Sequence, residues 1–196
     1  MYKLCKTERS AARQREIELA LLDVMTKRRF EDITVSDLCD SIGTPRKAFY
    51  RYFDSKEGAL RALIDHTMSE FGGQTPACDE KGQRSLTRDI EQFFLFWKGQ
   101  KALLAAFEKS GLFSHIIDAA LDFPIRDMVS LEKFLPDDSD AMRRSIFKFA
   151  ICGLMFTMLS WYKSGFAESP HEMARTTCRM LSRPLFPNLD KIGIPD

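Results

Sequence analysis

The chain has 196 residues, 44% of them hydrophobic and 29% charged, which supports a sizeable core and excludes broad disorder. A formal net charge of +1 excludes a polybasic scaffold and an acidic tail, so any nucleic-acid surface must come from where the charges sit. Five scattered cysteines (Cys5, Cys39, Cys78, Cys152 and Cys178) include no C-x-x-C pair, which argues against a disulfide framework and a thiolate zinc site and suits a reduced cytosol.

Residues 1–15 are polar and charged, without the apolar stretch of a signal peptide. Apolar residues then recur with a helical period, and no useful strand-like alternation appears. Ile17, Leu21 and Val24 place one stripe on a helix from about Thr7 to Lys27. The run Arg28 to Ile33 breaks it. Thr34 with Asp37 three residues on is a variant capping box, opening a short helix with Val35, Leu38 and Ile42 inside and Gly43 at its end. Thr44 is then expected to cap a second short helix to Tyr52, with Pro45 at its first position and Phe49 and Phe53 on the inner face. Asp54 to Glu57 signals another start. Leu60, Leu63, Ile64, Thr67, Met68 and Phe71 form the inside of that helix.

Residues 72–83 hold three glycines and a proline, so the domain boundary is placed there. The expected domains are 7–70, with the helix-turn-helix at about 34–53, and 71–196. Beyond the boundary, Ile90, Phe93, Phe94 and Trp97 form one helix face, and Leu103, Leu104 and Phe107 the next. Residues 112–121 and 124–134 read as helical pieces separated by Pro124. Asp137 or Ser139 starts a long helix to Lys163, stopped by Gly165. Ser169, Pro170 and Glu172 then combine cap, first-position proline and capping-box acid, and the last helix ends before Pro184. The most apolar stretch, Phe149 to Trp161, is shorter than the roughly 20 residues a membrane span needs, so no membrane partner is expected.

Two short helices on a glycine turn have helix-turn-helix proportions. In such a unit the N-terminal residues of the second helix reach the major groove, and Arg46, Lys47 and Tyr50 stand on its outer surface. A merely solvated charged face is the alternative.

The strings Ile33-Thr34-Val35, Gly43-Thr44-Pro45 and Phe49-Tyr50-Arg51-Tyr52-Phe53-Asp54-Ser55-Lys56-Glu57 resemble the N-terminal domain of the TetR/AcrR regulators. The family pattern is approximately T-V-x-x-I-A-x-x-A-G-V-S-x-x-x-F-Y-x-H-F-x-S-K-E-x-L. The resemblance covers roughly residues 10–68. Tyr52 stands where the family has histidine, and Ile42 where it has a small residue. It implies an all-α chain, an N-terminal three-helix DNA-binding domain joined to a larger helical domain for ligand binding and dimerisation. It further implies sugar-phosphate contacts by Thr34 and Tyr52, a phosphate contact by Lys56, and a groove surface of Thr44, Pro45, Arg46, Lys47 and Tyr50. Residues 1–56 carry 12 lysines and arginines against 9 acids, a small excess that suits modest non-specific affinity.

The C-terminal half resembles the same family more loosely, implying a homodimer built on the last two helices. The candidate interface is Phe147, Ile151, Leu154, Met155, Met158, Trp161, Met173 and Met180; a buried central helix in a monomer is the alternative. Phe93, Phe94, Trp97, Leu104, Phe107, Phe113 and Phe156 are either plain core or the lining of a cavity for an apolar or aromatic effector. His66, His115 and His171 have no metal-site spacing, and no nucleophile elbow, Walker loop or dinucleotide fingerprint is present. His115 and Asp118 share a face, as a surface hydrogen bond or as half of a metal or acid–base pair. The expectation is a cytoplasmic regulator without cofactor, metal or catalysis, a repressor binding a pseudo-palindromic double-stranded operator. An all-helical small-molecule-binding protein or enzyme retaining a helix-turn-helix is the alternative.

Overall fold

Local cap chemistry sets where most of the helices begin. The computed structural model describes residues 1–3, 5, 7–73, 85–122 and 139–183, and among them every regular element is helical. The expected helical piece at 124–134, the linker beyond Gly73, Cys78 and the proline-containing tail lie outside the described residues. Helix α1 spans Glu8–Lys27 with Thr7 as its N-cap, and α2 spans Val35–Ser41 with a full Thr34–Asp37 capping box. Between them Phe30–Asp32 forms one 3-10 turn. Helix α3 is Arg46–Phe49, and α4 is Lys56–Gly72, capped by Ser55. Then follow α5 (Leu86–Gly99), α6 (Lys101–Ser110), α7 (Phe113–Asp122), α8 (Asp140–Lys163, capped by Ser139) and α9 (Pro170–Leu181). Helix α9 carries the second full capping box, Ser169 with Glu172.

These helices divide into two packed units that do not follow a single cut in the sequence. The first comprises α1 to α4 together with α6 and α7; the second comprises α5, α8 and α9. In the first, α1 packs on α2, α4 and α6, and α4 also packs on α7. Its core holds Ile17, Leu21, Met25, Leu38, Phe49, Phe53, Leu63, Leu104 and Phe107, all nearly or fully buried. Helix α6 is held to the end of α1 and the 3-10 turn by two polar ties. The Phe30 N–H donates to the Ser110 hydroxyl at 3.0 Å, and the Lys109 ammonium donates to the Thr26 carbonyl.

In the second unit α5 packs on α8 and α9. Phe94 meets Trp161 edge-on at 5.3 Å, and the Trp161 indole N–H donates to the Glu168 carbonyl at 3.0 Å. Helix α8 ends where Gly165 and then Phe166 adopt left-handed backbone, φ 75° and 60°. The non-glycine strain at Phe166 is offset by packing against Trp161 at 4.7 Å. By length and composition alone α8 is apolar enough to cross a bilayer, its best window having a mean hydropathy of 1.3. The core helix of a soluble protein has the same property, and one face of α8, with Phe147, Ile151, Met155 and Met158, is buried in the single chain.

Candidate nucleic-acid interface

The turn between α2 and α3 needs a residue with positive φ, and Gly43 supplies it at 59°. The Thr44 N–H closes the turn on the Cys39 carbonyl at 2.8 Å. Phe49 is fully buried beneath α3, with Phe53 5.2 Å away between ring centroids, and this anchors the short helix from below. Its outer surface is left to Pro45, Arg46, Lys47 and Tyr50, all exposed. Hydrogen bonding to the Tyr50 hydroxyl holds the Arg46 guanidinium above its ordinary pKa, so the two side chains meet one turn apart on this face.

The four other candidates are placed differently. Thr44 does not cap α3, whose N-cap is Pro45 without a side-chain bond. Its side chain is buried and accepts from the Arg13 guanidinium, tying the turn back to α1 rather than facing a groove. Lys56 turns inward. Its ammonium donates to the carbonyls of Phe30, Glu31 and Ile33 at 2.8, 3.0 and 2.8 Å, which uses all three of its N–H bonds. It also lies 4.7 Å over the Phe30 ring. Sequence reasoning missed this because the carbonyls come from 23 to 26 residues earlier in the chain. Thr34 is exposed but bound into its capping box, whose hydrogen bonds hold the Asp37 carboxyl below its ordinary pKa. Tyr52 is half-buried beside Phe53.

Behind the motif, α1 and α4 are joined by a polar seam. Glu18 is fully buried, and one of its oxygens accepts from Arg15 at 3.1 Å and lies 2.7 Å from His66 Nδ1. Around His66 also stand Asp65 and the Tyr2 ring, 6.1 Å away edge-on, while Arg15 reaches on to Glu70. Burial, then its hydrogen bond to Asp65, pushes the Tyr2 hydroxyl up to about 12. The hydrogen bond to Glu18 raises the His66 pKa above its ordinary 6.5. A raised folded-state value stabilises fully below pH 6.5, and that stabilisation is lost as pH climbs through the folded pKa. The melting temperature is therefore expected to fall as pH rises through that window, and His66→Gln to flatten the slope in thermal melts. An unchanged slope would remove His66 from this account.

The second unit sorts its candidates by exposure. Phe147, Ile151, Met155, Met158 and Trp161, expected at a dimer interface, are buried in the single chain; Leu154 and Met173 are half-buried, and Met180 is exposed. The face that α8 leaves open carries Met142, Phe149 and Phe156 at steps of seven, with Phe149 67% and Phe156 61% exposed. Phe156 thus lines no enclosed cavity. Of the remaining pocket candidates, Phe93, Phe94 and Trp97 are buried in the second unit, whereas Leu104, Phe107 and the half-buried Phe113 belong to the first. The Trp97 indole nitrogen is buried with no hydrogen-bond partner among the described residues. His115 and Asp118 are both exposed on α7, and no metal-holding cluster occurs among the described residues.

Residues 20–63, from within α1 to within α4, match the model of the family "Bacterial regulatory proteins, tetR family". The HTH-type transcriptional regulator EthR of Mycolicibacterium smegmatis is 36% identical over 75 residues. That stretch is 36% of this chain and 35% of that regulator, so the match spans about a third of the relative's length. The fold resembles that of the fatty acid degradation regulator FadR from Bacillus halodurans, with a TM-score of 0.64, 16% identity, and coverage of 93% of this chain and 98% of that one. It also resembles the dihydroxyacetone kinase operon activator DhaS, with a TM-score of 0.59, 16% identity, and coverage of 86% and 93%. At that identity the two likenesses speak to fold alone. The exposed basic face of α3 on its glycine turn lies within residues 20–63, the segment that is similar to the tetR family of bacterial regulatory proteins.

Proposed function

We propose that the chain is a ligand-responsive repressor that binds a pseudo-palindromic operator as a homodimer. The observation that carries the reading is the sorting of α3, with Phe49 fully buried and Pro45, Arg46, Lys47 and Tyr50 exposed on the opposite side. A helix so arranged offers charge-assisted donors to phosphates and base edges at little cost to the fold. Dimerisation is supported by the open stripe of Met142, Phe149 and Phe156, where Gly153 has nothing within 4 Å of its Cβ position and so allows close approach. Three large apolar side chains left on one helix face make a patch of the kind that marks interaction sites. An apolar or aromatic effector is supported by the buried α5 layer of Phe93, Phe94 and Phe96 around Trp97. The unmet Trp97 N–H there would be satisfied by one ligand acceptor.

Selecting bound fragments from random duplex DNA with the purified chain tests the reading. Arg46→Ala and Lys47→Ala are each expected to weaken the selected operator by about 1–3 kcal/mol. Their melting temperatures should stay within the change typical of exposed positions, about 0.5 kcal/mol. Lost stability with undiminished operator affinity would assign these side chains to packing. The same assay with a panel of apolar compounds, read also by Trp97 fluorescence, tests the effector; a panel that leaves operator affinity untouched counts against one.

A further inference from the structure

We propose that Lys3 is a phosphate-contacting residue of the DNA interface, carried there by an N-terminal strap laid across the exit of α3. The inference rests on the DNA-binding reading and adds to it a contact supplied from outside the helix-turn-helix.

The strap is built by the main chain. Tyr2 pairs antiparallel with Phe53 as an isolated bridge, the Lys3 N–H donates to the Tyr52 carbonyl at 2.9 Å, and the Asp54 N–H donates to the Met1 carbonyl at 3.2 Å. The Tyr2 hydroxyl donates to Asp65 on α4 at 3.0 Å. Gly58 makes room for it: a Cβ there would stand 2.3 Å from the Met1 carbonyl oxygen, so only glycine lets the strap lie against the first turn of α4. These ties deliver the Lys3 ammonium to the Tyr50 carbonyl, 3.2 Å away, at the C-cap of α3.

That position sets its electrostatic task. The carbonyls at a helix C-terminus carry partial negative charge and oppose a phosphate brought near them. Lys3 covers that end of α3, beside the exposed Tyr50, and reverses the local sign. Among the described residues only one of its three N–H donors is engaged, by Tyr50, and its side chain is exposed. Lys56 is the contrast, since its donors are all spent on carbonyls. Between Lys3 and Lys56, Lys3 is the one with donors left for DNA.

Counterion release gives a direct readout, because each neutralised phosphate contributes about −0.9 to the slope of log affinity against log salt. The probe is a short mixed-sequence duplex carrying a fluorophore, titrated from about 50 to 200 mM salt. Lys3→Ala is expected to make the slope shallower by about 0.9 per bound protomer, a loss near eightfold per protomer at 0.1 M that fades toward 1 M. Lys3→Arg should restore it. Gly58→Ala, which keeps Lys3 and lifts the strap, should reproduce the loss. If the wild-type chain binds the duplex and Lys3→Ala leaves the slope unchanged, the proposal is overturned, whatever happens to the melting temperature. If the wild-type chain binds no duplex even at low salt, the DNA-binding reading itself falls, and this inference with it.

Discussion

Phe156→Glu is expected to leave the protomer folded, convert the proposed dimer to monomers and cost about 10²–10⁴-fold in operator affinity. Phe156 is mostly exposed, so the new carboxylate stays hydrated in the monomer and the fold loses little. In a dimer sealed by the open face of α8 the same carboxylate would be buried against apolar side chains without a partner, a cost of several kcal/mol. Half-site binding gives few contacts, and joining two recognition helices makes the second contact intramolecular; that advantage disappears with the dimer. Met158→Glu, only two residues on, is expected to act differently. Met158 is fully buried in the single chain, so the charge would disrupt the protomer and lower its melting temperature sharply. Light scattering and thermal melts on the two variants separate the outcomes. A Phe156→Glu protein that remains dimeric would move the interface elsewhere.

Lys56→Met should lower stability by about 2–4 kcal/mol, because the Phe30, Glu31 and Ile33 carbonyls lose their shared donor and each buried one left unpaired costs roughly 1–3 kcal/mol. Methionine keeps much of the stem, so the loss reports the ammonium rather than the packing. Were Lys56 a phosphate contact instead, the variant would melt normally and bind DNA with a shallower salt slope. Denaturant unfolding beside the duplex titration decides between the two. The structural role predicts a lower midpoint and an unaltered slope for the fraction that remains folded.

The residues that could be read in sequence are those whose partners are near in the chain. Thr34 with Asp37 and Ser169 with Glu172 form their capping boxes as read, because both groups lie within one helical turn. Gly43 declares its positive φ by identity alone. Arg46 and Lys47 are exposed as expected, since their exposure follows from the local alternation with Phe49. What failed to show is non-local. Lys56 reads as a surface charge until the carbonyls of the 3-10 turn are folded onto it, and Thr44 as a cap until Arg13 arrives from α1. Helix α8 is apolar on two faces, and periodicity marks both without saying which one the protomer covers. Phe147, Ile151 and Met155 belong to the covered face, and Phe149 and Phe156 to the open one. Lys3 gives no local sign at all, having no helical neighbours to set its face.

The placement of α5 bears on how such a protein can be recombined. The chain leaves the first unit after α4, builds α5 into the second, and comes back for α6 and α7 before leaving again. A fragment ending after α4 would therefore lack the helices that cover α1 and α4, leaving part of the core around Ile17 and Leu63 open to water. Exchanging everything after α4 by a single crossover in the gene would separate α6 and α7 from the helices they pack on. Three junctions must be right together, so a graft that keeps the first unit whole is expected to need α6 and α7 carried with α1 to α4.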